Sequence, residues 1–261
     1  MKKKKIALYS ALALVSYLMF VAVQTPADHL YGLVKDKLLA VKLYQLDGSI
    51  WQGRSALVTI GPRAERLESL KWELQPAALF LGRAQAEVSF KYDERNVVAT
   101  VGRDLGGYFL KDLNASLAAA TVERFAAQLA IGLKGLFKIE LDTLSLAAGQ
   151  LSNVEGKLTW RDAGIDLNNT SFGDFEAILN TVDGTINGVI RDLDGPMKVN
   201  GTLILQPTGE YVFAGTIELR DKNRNDLRQG LRFIGEPNPQ GIYTIKYQGQ
   251  LPMSRLAATS G

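Results

Sequence analysis

The sequence predicts a mainly β protein, with a single N-terminal transmembrane helix followed by an elongated antiparallel β-meander that carries one or two short helices. Three observations predict this fold class. A lysine cluster precedes an apolar run at the start of the chain, apolar and polar residues then alternate with a period of two, and Gly, Asp and Pro separate the short runs. Of the 261 residues, 46% are hydrophobic, which is enough to build a core.

The start of the chain predicts a membrane anchor. Eighteen uncharged, mostly apolar residues occupy positions 6–23, and a helix of that length measures about 27 Å, close to the bilayer core of about 30 Å. Basic clusters beside a span remain in the cytoplasm, so we expect the N-terminus inside the cell and everything after Gln24 outside. The basic residues that set this orientation are Lys2, Lys3, Lys4 and Lys5.

A cleaved signal peptide is the main alternative, because a basic start followed by an apolar run fits both structures. The apolar run is longer than the about 7–15 residues typical of a signal peptide, and residues 21–27 offer no clean cleavage site before Pro26. A buried core helix is the third interpretation, although four lysines beside a core helix have no packing rationale. The first two interpretations both export residues 25–261.

Charge and composition exclude several function classes. The formal net charge is +3, and subtracting the four lysines leaves −1 for the rest of the chain. Without a second cluster of Lys and Arg, we expect no nucleic-acid partner. Cysteine is absent and His29 is the single histidine, which removes disulfides, thiolate catalysis and most zinc sites. We therefore expect no cofactor and no metal.

Beyond the anchor, the pattern indicates one short helix and then strands. Thr25 and Pro26 are typical of a helix start, and apolar residues recur near helical spacing up to about Lys42. From Leu43 onward the period becomes two, and the last ten residues are small and polar. The predicted regions are a cytoplasmic stub and transmembrane anchor at 1–24, a juxtamembrane helix at 25–45, a β-rich domain at 46–251 and a flexible tail at 252–261.

Three segments of the β-rich domain interrupt the strand pattern. Residues 76–82 predict a short helical turn between two strands. Residues 121–129 predict a second helix, with Thr121 as its N-cap and apolar residues four apart. Residues 221–226 are interpreted as a polar hairpin tip, because the positions where a calcium loop needs Gly and Glu hold other residues.

A loose motif recurs four times, with an aliphatic residue, an acid or amide, a glycine, a polar residue and an aliphatic residue. The copies start at Leu46, Val154, Val182 and Val199. Each is interpreted as a strand entered through a tight turn or bulge, and chance recurrence in a β protein is the alternative. The uneven spacing favours an open meander over a solenoid. An open edge could accept a partner strand, and residues 202–205 and 216–219 are the candidate edges.

Few side chains suit catalysis. His29 lies six residues beyond the predicted span and is interpreted as interfacial or solvent-facing, so no Ser-His-Asp triad and no enzyme is indicated. Paired carboxylates of a cell-envelope hydrolase remain a hypothesis, with exposed loop acids as the simpler interpretation. The acids concerned are Asp162, Asp166, Asp174, Glu176, Asp192 and Asp194. We expect Trp51, Trp72 and Trp160 in strands, either in the core or as an exposed aromatic row for a lipid, glycan or protein partner.

Two segments resemble the type II secretion system protein N family. Residues 46–54 contain a Leu-Asp-Gly-Ser-Ile-Trp-Gln-Gly turn, and residues 70–83 contain a Leu-Lys-Trp-Glu-Leu-Gln-Pro block that ends in Leu-Gly-Arg. Ser49 in place of the family's Thr, and Ala84 in place of an aliphatic residue, are departures. The motif residues, structural or interacting, are Gly48, Trp51, Gly53, Trp72, Pro76 and Gly82. Residues 154–160 are similar to a later block of the family.

This resemblance implies a non-enzymatic accessory of the machine that exports folded proteins across the bacterial outer membrane, with one inner-membrane helix and a periplasmic β-rich domain. The expected partners are the inner membrane and other secretion components, either the inner-membrane platform or the secretin. A likeness to the AsmA-like group implies a second hypothesis, a curved β-sheet whose groove binds or conducts lipid. The Ala- and Leu-rich stretch 105–133 is then a lid or a groove wall.

Overall fold

The computed structural model describes residues 25–35, 41–61, 64–125, 132–166, 169–232 and 235–250. These residues contain thirteen β-strands and four short helices, which confirms the prediction of a mainly β fold. They fall into two compact units, of which unit 1 ends at Tyr92 and unit 2 begins at Asp93. Within each unit the strands pair antiparallel in chain order, as a meander does.

The described residues of unit 1 contain four strands and two helices. Its elements are α1 (Ala27–Val34), β1 (Val41–Gly48), β2 (Gln52–Ile60), β3 (Glu65–Leu74), α2 (Pro76–Leu79) and β4 (Ala84–Tyr92). In β3, Trp72 is half-buried while Lys71 and Glu73 are exposed, so the predicted period of two is confirmed there. Helix α1 is held on β1, since the hydroxyl oxygen of Tyr31 accepts a hydrogen bond from the Leu43 amide at 3.0 Å.

In unit 2, the ranges that the structure describes contain nine strands and two helices. Its elements are β5 (Arg95–Asp104), β6 (Gly107–Ala118), α3 (Ala119–Phe125), β7 (Leu133–Ala147), β8 (Gln150–Ile165), β9 (Thr170–Val182), β10 (Thr185–Asp194), β11 (Met197–Leu205), β12 (Glu210–Leu219), α4 (Asn225–Leu231) and β13 (Ile242–Gln250). Most of the stretch 105–133 is therefore strand β6 and helix α3.

The two faces of the unit 2 sheet differ in polarity along one line across the strands. Residues directly opposite each other in neighbouring strands share a face, so the register traces this line from β5 to β13. The apolar row consists of Val97, Ala115, Ile139, Leu158, Ala177, Ile190, Gly201, Gly215 and Ile245. The polar row, one residue along and on the opposite face, consists of Ser116, Lys138, Thr159, Glu176, Arg191, Asn200, Thr216 and Thr244.

Two hydrophobic clusters flank the apolar row on its own face. Leu227 and Leu231 of α4 pack onto the ends of three strands, where the buried partners are Met197, Val199, Ile217, Leu219 and Tyr243. On the other side of the row, Val154, Ile186 and Leu205 form the second cluster. Between these clusters, the row residues Leu158, Ala177 and Ile190 are half-buried.

Two helix predictions need correction. The juxtamembrane helix, expected to reach about Lys42, is α1 and ends at Val34, while strand β1 already begins at Val41. Thr121 is not a cap, because α3 begins at Ala119 and the Thr121 hydroxyl donates to the Asp93 carboxylate at 2.6 Å. A bond to a residue 28 positions away is a tertiary contact that no local pattern predicts.

Three further predictions are wrong. Residues 221–226 are not a hairpin tip, since they lead into α4, whose leucines cover the sheet. Residues 202–205 and 216–219 are not edges, because β11 and β12 each pair on both sides and the meander continues to β13. Trp51 lies in the β1–β2 turn and not in a strand, whereas Trp72 and Trp160 lie in β3 and β8 as expected.

The predicted anchor and its lysines, Lys2, Lys3, Lys4 and Lys5, lie outside the described residues, as does the tail at 252–261. Among the helices of the described ranges, none is both long and apolar enough to cross a membrane.

Candidate functional site

The six motif residues meet at one end of unit 1, which we call the motif end. It consists of the β1–β2 turn and the β3–β4 connection, two loops that a meander brings to the same end of the sheet. Gly48 ends β1, Gly53 lies at the start of β2, and Trp72 is the register partner of Gly53. Two sequence segments more than fifteen residues apart therefore form one site.

Trp72 joins the two segments by packing and by a hydrogen bond. Its indole lies over Gly53, where a Cβ atom would collide with the ring. The Trp72 indole N–H donates to the carbonyl of Ile50 at 3.1 Å, across the β1–β2 turn. Glycine at position 53 is thus required by the close approach of the ring.

The β1–β2 turn is fixed by backbone hydrogen bonds. Gly48 has a φ of +94°, and the next amide, that of Ser49, donates to the Gln52 carbonyl at 2.8 Å. The Ser49 hydroxyl oxygen accepts from the amides of Trp51 and Gln52 at 3.2 and 3.3 Å. The Trp51 carbonyl accepts from the Leu74 amide at 2.6 Å, so the backbone of Trp51 links the β1–β2 turn to the end of β3.

The β3–β4 connection is a hydrogen-bonded turn built on α2. Pro76 takes the first helical position, which suits its missing N–H and fixed φ, and Ala78 is buried. The carbonyl of Ala78 accepts from the amides of Leu81 and Arg83, both at 3.0 Å. Gly82, with a φ of +71°, lies three residues beyond the helix, and its amide donates to the Leu79 carbonyl at 3.0 Å.

A cleft of about 330 Å³ opens at the motif end and is bordered by Gly48, Gly53 and Trp72. Its charged lining residues are Asp47, Arg54, Lys71, Glu73 and Glu87. Arg54 and Asp47 form an ion pair at 2.6 Å, and the hydrogen bond from Arg54 holds the pKa of Asp47 below its ordinary value. The lining of the cleft therefore carries both signs of charge.

The carboxylates considered for a hydrolase mostly have cationic partners. The ion pairs are Lys134–Asp166, Arg161–Asp174, Arg191–Glu176 and Arg220–Asp192. In the described part of the chain, no group of three or more His, Cys, Asp and Glu side chains is placed to hold a metal. The ion pairs give these carboxylates a structural role between different segments of the sheet.

Trp160 lies in an aromatic cluster of unit 2 on the face of the apolar row. Its ring stacks on Phe137 at 5.0 Å between centroids, and contacts Phe175 at 6.0 Å and Phe172 at 6.4 Å. The indole N–H donates to the Lys134 carbonyl at 2.9 Å. Its partners Phe137, Phe172 and Phe175 were not singled out in the sequence, although each lies in a strand of alternating pattern.

Sequence reasoning also missed how exposed the β3–β4 connection is. Leu79, Phe80 and Leu81 project from the turn as exposed apolar side chains, and Ile50 does the same in the β1–β2 turn. The available signal was an apolar Leu-Phe-Leu run inside a turn, where polar residues are usual.

Comparison with known proteins gives a consistent result. The family model for type II secretion system (T2SS), protein N, matches residues 40–246. The curated type II secretion system protein N of Aeromonas hydrophila is 30% identical over 259 residues, covering 96% of this chain and 100% of that protein. The protein of the same name from Vibrio cholerae serotype O1 is 25% identical over 221 residues, covering 81% of this chain and 85% of that protein.

The corresponding protein of Pectobacterium carotovorum subsp. carotovorum is 22% identical over 256 residues, covering 95% of this chain and 99% of that protein. A comparison with solved structures found no significant match. The family model extends from the residue before β1 into β13 and includes the whole motif end. The chain belongs to the type II secretion system protein N family.

Proposed function

We propose that the chain is a non-enzymatic accessory of the type II secretion system, anchored in the inner membrane. The observation that carries this proposal is the family match over residues 40–246, which includes strands of both units. The curated relatives match over nearly their whole length, so the role is proposed for the full chain. A structural role for the ion-paired carboxylates supports the non-enzymatic part of the proposal.

In this proposal residues 6–23 span the inner membrane once. The four lysines remain in the cytoplasm, so both β units lie in the periplasm. There they contact the inner-membrane platform or the secretin while folded proteins are exported.

Strand β13 is the surface we propose for a protein contact. In the described ranges β13 pairs with β12 on one side and with no strand on the other, so one row of backbone groups is open to a partner. Such an edge can accept an extended segment by strand addition. Lys246 lies near the centre of β13 and is exposed, which limits non-specific pairing of this edge.

Photo-crosslinking in the native host tests this role. A photoreactive amino acid at Thr244 or Lys246 of β13 is expected to crosslink to a platform component or to the secretin. The same label at Thr202, exposed on the interior strand β11, is the matched control and should give no such product. The proposed contact is wrong if neither β13 position crosslinks to a secretion component.

A second candidate function, binding of lipid by unit 2, is favoured by the apolar row. A scaffold covers its apolar face with another layer, whereas a lipid site leaves an apolar strip for acyl chains. The row crosses nine strands without a polar side chain, and its central residues Leu158, Ala177 and Ile190 are half-buried.

Native mass spectrometry of the detergent-extracted full chain tests the second candidate. Lipid should co-purify with the wild type and with Thr202→Glu, which adds a charge on the polar face. It should be lost from Leu203→Glu, which places the charge beside the row, provided circular dichroism shows a folded sheet. A wild-type chain that retains no lipid contradicts this function.

A further inference from the structure

Four exposed apolar side chains lie together at the motif end, and we call them the apolar tip. Phe80 is 89% exposed, Leu81 76%, and Leu79 and Ile50 each 45%. Ile50 belongs to the β1–β2 turn and the others to the β3–β4 connection. Neighbouring strands lie about 4.8 Å apart, so two strand spacings separate these loops by about 10 Å. The four side chains therefore lie in two nearby loops at the same end of unit 1.

The exposure of the apolar tip is a property of the fold. The carbonyl of Ala78 is hydrogen-bonded to the amides of Leu81 and Arg83, and Ala78 itself is buried. The β1–β2 turn is fixed in the same way around Ser49. Both loops thus hold their apolar side chains away from the sheet, in a position to enter an apolar phase without refolding.

The opposite end of unit 1 has a different character. Its described residues in the β2–β3 connection carry one large exposed apolar side chain, Ile60, beside the charged residues Glu65 and Arg66. Glu65 accepts a hydrogen bond from the Tyr92 hydroxyl at 2.8 Å. Unit 1 is therefore asymmetric, with the apolar surface concentrated at the motif end.

The chain enters unit 1 at the motif end. Pro26 forms an antiparallel bridge with Ser49 in the β1–β2 turn. The predicted span ends at Val23, three residues earlier, and three residues reach at most about 10 Å. The headgroup layer that flanks the bilayer core is about 5–8 Å thick. The apolar tip is thus within reach of the membrane surface if the span is where the sequence predicts it.

From this arrangement we propose that the apolar tip inserts into the periplasmic surface of the inner membrane. The occupant of the patch is the bilayer itself, at the boundary between headgroups and acyl chains. Phe80 and Leu81 are the inserted side chains, and the half-buried Trp51 lies at the depth where indoles concentrate. The inference rests on the proposed anchor. In it, the motif residues hold the two loops that orient unit 1 against the membrane.

Single-cysteine labelling tests the insertion, because the natural chain has no cysteine to remove. The full chain is labelled with an environment-sensitive fluorophore at Phe80→Cys, Ile60→Cys or Ser16→Cys. It is then reconstituted into nanodiscs of phosphatidylethanolamine and phosphatidylglycerol, with or without lipid that carries a spin-label quencher, placed at a shallow position for the labels at 80 and 60 and at a deep acyl position for the label at 16. Intrinsic tryptophan fluorescence verifies that each labelled chain is folded.

The label at position 80 should be quenched about twofold or more relative to the label at position 60, because interfacial side chains enter the bilayer by about 5–10 Å. Equal quenching at positions 80 and 60 overturns the inference. The label at position 16 separates the two proposals: quenching there without quenching at 80 leaves the anchor intact and rejects the insertion. Quenching at neither position rejects both.

Discussion

The indole of Trp72 packs over the bare Cα of Gly53, and its N–H bonds the carbonyl of Ile50 in the adjoining turn. This contact joins two sequence motifs across the β2–β3 pairing, in a meander that brings the β1–β2 turn and the β3–β4 connection to the same end of unit 1. The apolar tip is built from these two loops, and the cleft is lined by Trp72 together with strand residues next to them.

Gly53→Ala should therefore lower the stability of unit 1. The added methyl meets the Trp72 ring and the Asp47 carbonyl oxygen, and overpacking of this kind costs about 1–3 kcal/mol. Thermal unfolding of the full chain in detergent measures the effect. Gly32→Ala in α1 is the control, since nothing lies within 4 Å of its Cβ position and alanine favours the helix. Equal melting temperatures for the two variants would contradict the packing described.

A second prediction concerns the buried carboxylate of Asp192. Its side chain is 5% exposed, pairs with Arg220 at 2.6 Å and accepts a hydrogen bond from the Val199 amide at 2.7 Å. Asp192→Ala leaves the Val199 amide without its acceptor and removes the carboxylate that pairs with Arg220. The free energy of unfolding in urea should fall by about 2–3 kcal/mol. Asp166→Ala removes an exposed ion pair with Lys134 and should cost less than about 1 kcal/mol. A larger loss of stability for Asp166→Ala than for Asp192→Ala would show that Asp192 does not hold β10 to β11.

The third prediction is a pH dependence of α4. A hydrogen bond from Arg224 lowers the pKa of Asp226 from 3.8 to about 2. A lowered pKa means that the folded state favours the carboxylate, so this stabilisation is present above about pH 4 and is lost as the pH falls towards 2. Both side chains are about one third exposed, so the effect should stay below about 1 kcal/mol.

Urea unfolding of the wild type and of Asp226→Asn, at several pH values between 5 and 2, measures this difference. The wild type should be the more stable protein at pH 5, and the gap should close towards the acid end. A gap that is independent of pH would show that the Arg224–Asp226 pair does not stabilise the fold.

A proline scan of β13 gives the fourth prediction. Backbone amides alternate in direction along a strand, so proline at every second position breaks a bond to β12 while the others face outward. Across Thr244, Ile245, Lys246 and Tyr247, stability should fall by about 1–3 kcal/mol at alternate positions only. The crosslink to a secretion component should weaken at all four. Retention of the crosslink at the stable positions would argue against strand addition at this edge.

The sequence allowed the class of fold to be predicted because a sheet with one apolar face leaves a period-two pattern in each strand. Leu70, Trp72 and Leu74 show this pattern, and β3 follows it. Pro76 and Gly82 likewise indicated the helical turn that contains α2, since proline and glycine act through their own backbone conformations. Features that depend on one residue or its neighbours were therefore within reach of sequence reasoning.

Features that depend on pairing between distant segments could not be predicted from the sequence. The contact of Trp72 with Gly53 follows from the β2–β3 register, and the bond of Thr121 to Asp93 turns an apparent cap into a tertiary contact. Likewise, the polar run at 221–226 suggested a turn, whereas Leu227 and Leu231, four residues apart, cover the sheet as α4.

The four-fold glycine motif shows the same limit. Gly48 ends β1 where the β1–β2 turn begins, Gly184 lies in a turn and Gly156 lies at a bulge, all with positive φ, as the turn-or-bulge interpretation requires. Gly201 lies inside β11, where its register partner is Gly215 and the ring of Phe213 lies against it. One sequence pattern thus serves two structural purposes, close packing and tight turns, which the pattern alone does not distinguish.

The proposed role in secretion is tested most directly by measuring how much of a type II substrate the native host exports after this chain is deleted. The fraction of an exported enzyme found in the medium, relative to the periplasm, should fall on deletion and should recover when the full chain is supplied from a plasmid. Supplying the chain with Trp72→Ala and Gly53→Ala together should restore export less well, since these residues join the motif loops. Unchanged export in the deletion strain would contradict the proposed role in secretion.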